Sequence, residues 1–408
     1  MEPLDDVPRI ISVDDHVVEP PNLWQSRLPA QHRERGPRII RQKIKLAGGG
    51  TGGRSMGWVE ADDGAWCDVW HYDELVSPFL MLSAAVGFEE VGFDVATFDQ
   101  IRPGCWIQGE RLADMSANHV DAAICFPNTL PRFCGQAFYE RADHDLALLC
   151  VRAYNDWMID EWCGGEGKGR LIPLTMIPLW DPALAATEIR RCAAKGSHAV
   201  TFSENPHPLG LPSLHSKDHH WDPFLAACEE TETVVCMHIG SSSRMPSTSP
   251  DAPFIISSTL TFQNAMGSML DWIFSGTLDR FPDLTIAFAE GQVGWMPYIL
   301  ERADKLWAER SDNSFGTALP RPPSSYIAGR IYGCIFDDSP GLRNRDVIGI
   351  DQICFETDFP HADSTFPHSK EVLTKIGAEA GLSAEEMYKF ARGNAIRAFK
   401  LERFGITE

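Results

Sequence analysis

The stretch Ile353-Cys354-Phe355-Glu356-Thr357-Asp358-Phe359-Pro360-His361-Ala362-Asp363 joins an apolar run of strand type to a cluster of polar groups. The run ends abruptly at Asp358, Pro360 turns the chain, and His361 and Asp363 follow at once. Groups that bind metals or handle protons thus stand where a buried strand surfaces. In parallel α/β proteins, ligands bind outside the carboxyl ends of the strands. A polar turn closing an ordinary strand would look the same in isolation, so what matters is whether the pattern recurs.

It recurs along the whole chain. Ile10-Ile11-Ser12-Val13 runs into Asp14-Asp15-His16, and Ala122 to Phe126 ends in Pro127-Asn128. Leu171 to Leu179 precedes Asp181-Pro182, an N-cap followed by proline at the first helical position. Ala199 to Ser203 ends in Glu204, Val234 to Met237 in His238, Leu284 to Ala289 in Glu290, and Ile331 to Phe336 in Asp337-Asp338. Amphipathic helical segments separate most of these runs, and the last helix starts with the capping box Ser383-x-x-Glu386. Apolar strands alternating with helices make a parallel sheet covered on both faces. Eight such units predict an α/β fold of the (β/α)8 TIM-barrel type, with residues 1–408 as one catalytic domain. A long insertion after the first strand, residues 19–109, is expected near the barrel mouth. Its Gly48, Gly50 and Gly53 spell GxGxxG, but no helix pattern follows, so a loop between short strands is expected there and not a dinucleotide site.

The composition narrows the function. A net charge of −21 without a Lys/Arg cluster disfavours nucleic acid, while leaving room for an anionic small molecule held by a local arginine. No apolar segment approaches membrane-spanning length, and Met1 to Ile10 does not read as a signal peptide. The eleven cysteines never form CxxC, and several lie in apolar strand runs. A cytoplasmic protein without disulfides or a zinc-thiolate site is expected.

In a barrel, all of these strand ends meet at one mouth. The first strand brings Asp14 and His16, two residues apart and so on one face; the others bring Glu204, His238, Glu290 and Asp358. A lone histidine in a strand is more often a core residue, and a lone Glu at a strand end more often a cap. Six acidic and imidazole groups brought together would repel and desolvate one another unless a cation neutralised them.

Val13-Asp14-Asp15-His16, Met237-His238-Ile239-Gly240 and Glu356-Thr357-Asp358-Phe359-Pro360-His361 resemble the amidohydrolase superfamily, in particular the amidohydrolase-2 group of aminocarboxymuconate semialdehyde decarboxylase and related aromatic-acid decarboxylases. The resemblance implies a (β/α)8 fold and a divalent metal held at Asp14, His16, His238 and Asp358. Two positions depart from it. Glu290 stands where members usually carry His, and Glu204 adds a carboxylate on the fourth strand, where two-metal members place a bridging group. Zinc hydrolase sites favour imidazole and thiolate; iron and manganese suit carboxylate-rich sets, and four carboxylates with two histidines is the di-iron and di-manganese ligand count. The chain is also similar to a smaller dinuclear monooxygenase subset, which includes the platensimycin-pathway di-iron hydroxylase and the isobutylamine N-hydroxylase.

The expectation is therefore a site for two divalent ions, Fe and/or Mn before Zn, in an Fe/Fe or Mn/Fe monooxygenase of a small organic substrate. The alternative is a metal-dependent hydrolase or non-oxidative decarboxylase of a small aromatic carboxylic acid. His361 and His207 are candidate acid/base residues, and Arg132 and Arg244 candidates for a substrate carboxylate, although a structural arginine is equally compatible with either position. A homo- or hetero-oligomer with a related subunit is expected, with no nucleic-acid or membrane partner.

Overall fold

A computed structural model describes residues 7–47, 57–309 and 319–407, so the Gly48 to Gly53 piece lies outside the described residues. Strand β1 (Ile10–Val17) is buried at all eight positions. The insertion follows with β2 (Arg38–Ala47), β3 (Gly57–Glu60), β4 (Ala65–Tyr72) and β5 (Leu75–Pro78). The remaining strands are β6 (Val120–Pro127), β7 (Leu171–Pro173), β8 (Ala199–Ser203), β9 (Val234–His238), β10 (Ile286–Ala289), β11 (Ile331–Ile335) and β12 (Ile353–Phe355). With β1 these make the eight strands expected from the sequence.

All ladders among these eight are parallel: β1-β6-β7 on one side and β8 through β12, in chain order, on the other. A parallel bridge between Thr175 and Val200 joins β7 to β8. Asp358 N to Asp14 O at 2.9 Å and His16 N to Phe359 O at 2.6 Å join the end of β12 to β1. These links close the (β/α)8 barrel. Ile11, Val13, Ile124, Leu174, Cys236 and Cys354 fill its interior, and a second apolar layer lies between strands and helices. All eleven cysteines are buried and unpaired. Among the described residues no helix is long and apolar enough to cross a membrane.

The insertion is more regular than its Pro- and Gly-rich sequence indicates. It holds a four-stranded antiparallel sheet in the order β3-β2-β4-β5. Trp70 packs edge-on against Trp24, Trp106 against Phe98, and Trp66 is 56% exposed. Three hydrogen bonds, two of them between backbone groups, bring the insertion back to the strand ends. Val18 N donates to Cys105 O, Asn128 Nδ2 to Ser83 O, and Val86 N to Pro360 O.

Candidate metal centre

Alternation along β1 separates three consecutive polar side chains. Asp14 and His16 face the barrel mouth, while Asp15 turns toward the helix Gln108–Ala117 and the buried Arg111, whose Nη1 is 3.7 Å from Asp15 Oδ2. Asp15 Oδ1 accepts from Ser12 Oγ, Thr357 Oγ1 and Phe359 N, fastening β1 to the end of β12. Arg111 donates to His16 O at 2.5 Å and lies over the Phe359 ring, so the backbones of two site segments are held from behind. Glu290 and Asp358 both take left-handed backbone (φ 53° and 49°), an uncommon conformation for non-glycine residues that turns the chain sharply where β10 and β12 end.

In front of this frame, two overlapping four-residue sets have donor atoms within 4.8 Å of one another: His16, His238, Asp358 and His361, and Asp14, His238, Glu290 and Asp358. His16 Nδ1 lies 3.1 Å from Pro127 O and His238 Nδ1 2.6 Å from Ile239 O. A carbonyl only accepts, so each Nδ1 carries the proton and each Nε2 presents a lone pair. Those two Nε2 atoms face each other at 3.0 Å. Asp14 oxygens lie 3.5 and 3.4 Å from them, Asp358 Oδ1 is 3.6 Å from His16 Nε2, and Glu290 Oε2 is 3.6 Å from His238 Nε2. Neither carboxylate oxygen of the fully buried Asp14 receives a hydrogen bond. Lone pairs and anionic oxygens converging without a donor fit a cation, and their spacing matches neighbouring ligands on an ion bound at about 2.1 Å.

The electrostatics agree. Burial first, then Glu356, Glu290 and Asp358, pushes the Asp14 carboxyl well above the usual range. Burial and Asp358 raise Glu290 to about 8, and burial raises Asp358 and Glu356. Burial pushes the imidazoles of His16, His238 and His361 down, which keeps them neutral and able to ligate. Asp14, His16, His238 and Asp358 would hold the ion or ions, with Glu290 and His361 beside them at the rim.

The other predicted residues fall outside these sets. Glu204 is buried, but its Oε1 accepts from Gly240 N, Ser242 N, Ser242 Oγ and Asn264 Nδ2. It organises the loop after β9 and belongs to neither four-residue set. His207 is exposed on a short 3-10 turn, His207–Leu209. Arg244 is exposed too, and Arg132 bonds to Glu140 and Ser243. Three neighbours of the ring carry no sequence-based expectation. Glu356 lies in the barrel interior, its Oε2 accepting from Glu290 N, and its spacing of two from Asp358 was the available signal. Phe133 stacks on His238 with ring centres 4.2 Å apart. Asn128 Oδ1 lies 3.4 Å from His361 Nε2, while the His361 Nδ1 faces Asp358 Oδ1 at 2.8 Å.

A parallel eight-stranded barrel with acids and histidines at its strand ends defines the class. The chain belongs to the amidohydrolase family, whose sequence profile matches residues 65–401. It is similar to gamma-resorcylate decarboxylase of Rhizobium sp. (strain MTP-10005), 26% identical over 314 residues, 72% of this chain and 88% of the relative. It is 25% identical over 270 residues to 2-amino-3-carboxymuconate-6-semialdehyde decarboxylase of Dictyostelium discoideum, 64% of this chain and 69% of that one. Among solved structures, an amidohydrolase of Mycobacterium avium subsp. paratuberculosis K-10 superposes with TM-score 0.68 at 21% identity, covering 96% of this chain and 99% of the other. A dihydroxybenzoic acid decarboxylase of Polaromonas sp. JS666, with bound manganese and the inhibitor 2-nitroresorcinol, gives 0.60 at 18% identity, covering 97% and 98%.

Proposed function

We propose that the protein is a metal-dependent, non-oxidative decarboxylase of a small aromatic carboxylic acid. The observation that carries this is the buried ring of Asp14, His16, His238 and Asp358, with Nε2 lone pairs and donor-free carboxylate oxygens directed at one space. The decarboxylases among its relatives favour this reading over the monooxygenase expected from the carboxylate count, for which they offer no support.

A divalent cation at the ring supplies positive charge that holds a substrate carboxylate with an adjacent hydroxyl. The protein's own groups do the rest. Loss of CO2 breaks the ring-carbon to carboxyl-carbon bond, leaves the electron pair on the aromatic carbon and requires one proton there. Glu290 borders the ring, reaches solvent and keeps its proton up to about pH 8, so it can deliver that proton, while His361, the other solvent-reaching member, can relay one from solvent through its two ring nitrogens. Asn128 steadies His361: its Nδ2 is committed to Ser83 O, so its Oδ1 faces His361 Nε2. Phe133 covers His238 and keeps water from that side.

Manganese-loaded protein should convert a hydroxybenzoate such as 2,6-dihydroxybenzoate to the decarboxylated phenol with one CO2 per turnover and no O2 uptake. Absence of CO2 release across a panel of ortho-hydroxybenzoates overturns the proposal. The oxygen-rich set Asp14, Glu290 and Asp358 favours one second reading, an iron or manganese oxygenase. O2 consumption by the reduced, iron-loaded protein is its test.

A further inference from the structure

The metal ring is not sealed evenly. The side chains of Asp14, His16, His238 and Asp358 are 0–1% exposed, whereas those of Glu290 and His361 reach 12% and 14%. Phe133 roofs the β9 side, 4.2 Å from His238 and 5.4 Å from His16 between ring centres. At His361 the protein opens into a cavity of about 450 Å³. One wall is Val86, Phe88 and Val91 of the insertion; the other is Ala362 and Phe366 of the loop after β12.

The chemistry of this cavity is graded from inside to outside. Its walls are mainly apolar, and the imidazole of His361 stands where it meets the ring. Arg102 also lines it, but Nε and Nη2 are committed to Asp114 at 2.7 and 2.6 Å, and its guanidinium lies over Phe366. That ion pair makes Arg102 a fixed, nearly neutral wall. Glu89 is the exposed anion of the lining and repels a carboxylate that would remain at the outer end. A small anion is therefore favoured head-in, toward the cation. A few hundred cubic ångströms with apolar walls and few polar groups is the usual form of a small-molecule pocket.

The insertion wall is tied to the ring itself. Val86 N donates to Pro360 O at 3.2 Å, one residue from His361. Asn128 bonds to Ser83 O with one amide atom and faces His361 with the other, so one side chain spaces wall and imidazole. Farther along, Phe93 meets Phe254 edge-on at 5.2 Å, fastening the same segment to the helix Phe254–Leu260.

We propose that this cavity is the substrate pocket, taking the flat apolar body of a small aromatic acid with its carboxylate toward His361, and that Val86, Phe88 and Val91 of the insertion set its size. The ligand class rests on the decarboxylase proposal; the cavity as the route to the metal does not.

A plug distinguishes the two. The native cysteines are all buried, so Phe88→Cys adds a single accessible thiol inside the cavity, and Tyr298→Cys adds one on an exposed helix surface as control. Each variant is loaded with manganese, checked for metal content, and labelled with a pyrene maleimide. Two quantities are then read: affinity for 2-nitroresorcinol from its absorbance, and the rate of manganese extraction by 2,6-pyridinedicarboxylate. Labelling Phe88→Cys should weaken the first and slow the second by about tenfold or more, with the labelled control unchanged. If unlabelled protein does not bind 2-nitroresorcinol but the plug still slows extraction, the pocket stands and the aromatic-acid assignment falls. Unchanged binding and extraction after plugging would overturn the pocket.

Discussion

Asp14 and Glu204 are both buried carboxylates at the carboxyl ends of barrel strands, yet the protein treats them in opposite ways. Glu204 Oε1 is surrounded by four donors from the β9 loop and Asn264. Asp14 receives none and instead faces two imidazole lone pairs. Removing a carboxylate from water costs several kcal/mol unless something replaces the water. At Glu204 the protein supplies donors to one oxygen, Oε1, and leaves Oε2 without one; at Asp14 neither oxygen is served, which fits a cation. Residue type and strand position are therefore not enough to identify a ligand. The supply of N–H and O–H donors separates a ligand from a loop organiser.

The largest effect that tests this contrast is expected for Asp14→Asn. An amide adds a donor where a cation belongs, so manganese affinity should fall by about 100-fold or more in equilibrium dialysis, and decarboxylation with it. Retained affinity would mean that Asp14 is buried for another reason. Next comes Asp15, the neighbour the protein does compensate. Arg111→Met leaves Asp15 without its buried cation and should cost about 3–5 kcal/mol in denaturant unfolding. A loss below about 1 kcal/mol would show that Ser12 and Thr357 suffice.

A third effect is read in pH. Asp14, Glu290, Glu356 and Asp358 have raised values in the folded, metal-free protein, Glu290 to about 8. Folding then favours their protonated forms, so the stability they contribute is present at low pH and lost as pH rises through the folded values. The lowered imidazoles act oppositely below their ordinary range, which leaves the carboxylate effect clearest from about pH 7 to about pH 8.5. Across that window the metal-free protein should lose Tm, while manganese affinity increases because protons no longer compete. A flat Tm would contradict the crowding of uncompensated acids. The smallest effect is expected for Glu204→Gln. The amide oxygen still accepts from the β9 loop, and the carboxyl is already raised to about 7, so metal binding should persist with a stability change of about 1 kcal/mol.

Much of this was legible in the sequence, for a definite reason. Parallel barrel strands are buried on both faces and read as continuous apolar runs, so all eight could be located, and the polar residue ending each run marked the mouth. That position marked Asp14, His16, Glu204, His238, Glu290 and Asp358 alike, and all of these but Glu204 fall in the two clustered sets. Asp338, at the end of the seventh run, accepts from Gly341 N and caps the helix Ser339–Arg343. The insertion sheet was not legible, because β2 mixes Arg, Lys and Gln with Ile and shows no clean two-residue alternation of burial. Glu204 could not be excluded as a ligand, since its donors come from Gly240, Ser242 and Asn264, remote residues whose proximity only the fold creates. Phe133 and Asn128 were missed because an aromatic and an amide in a loop carry no metal-site signature until they are seen against His238 and His361.

Calorimetric titration of manganese into the wild type, Asp14→Asn and Glu204→Gln at one pH distinguishes a metal ligand from a loop organiser. Saturable binding with proton release is expected in the wild type and in Glu204→Gln, and none in Asp14→Asn over the same concentration range. Binding retained by Asp14→Asn and lost by Glu204→Gln would contradict it.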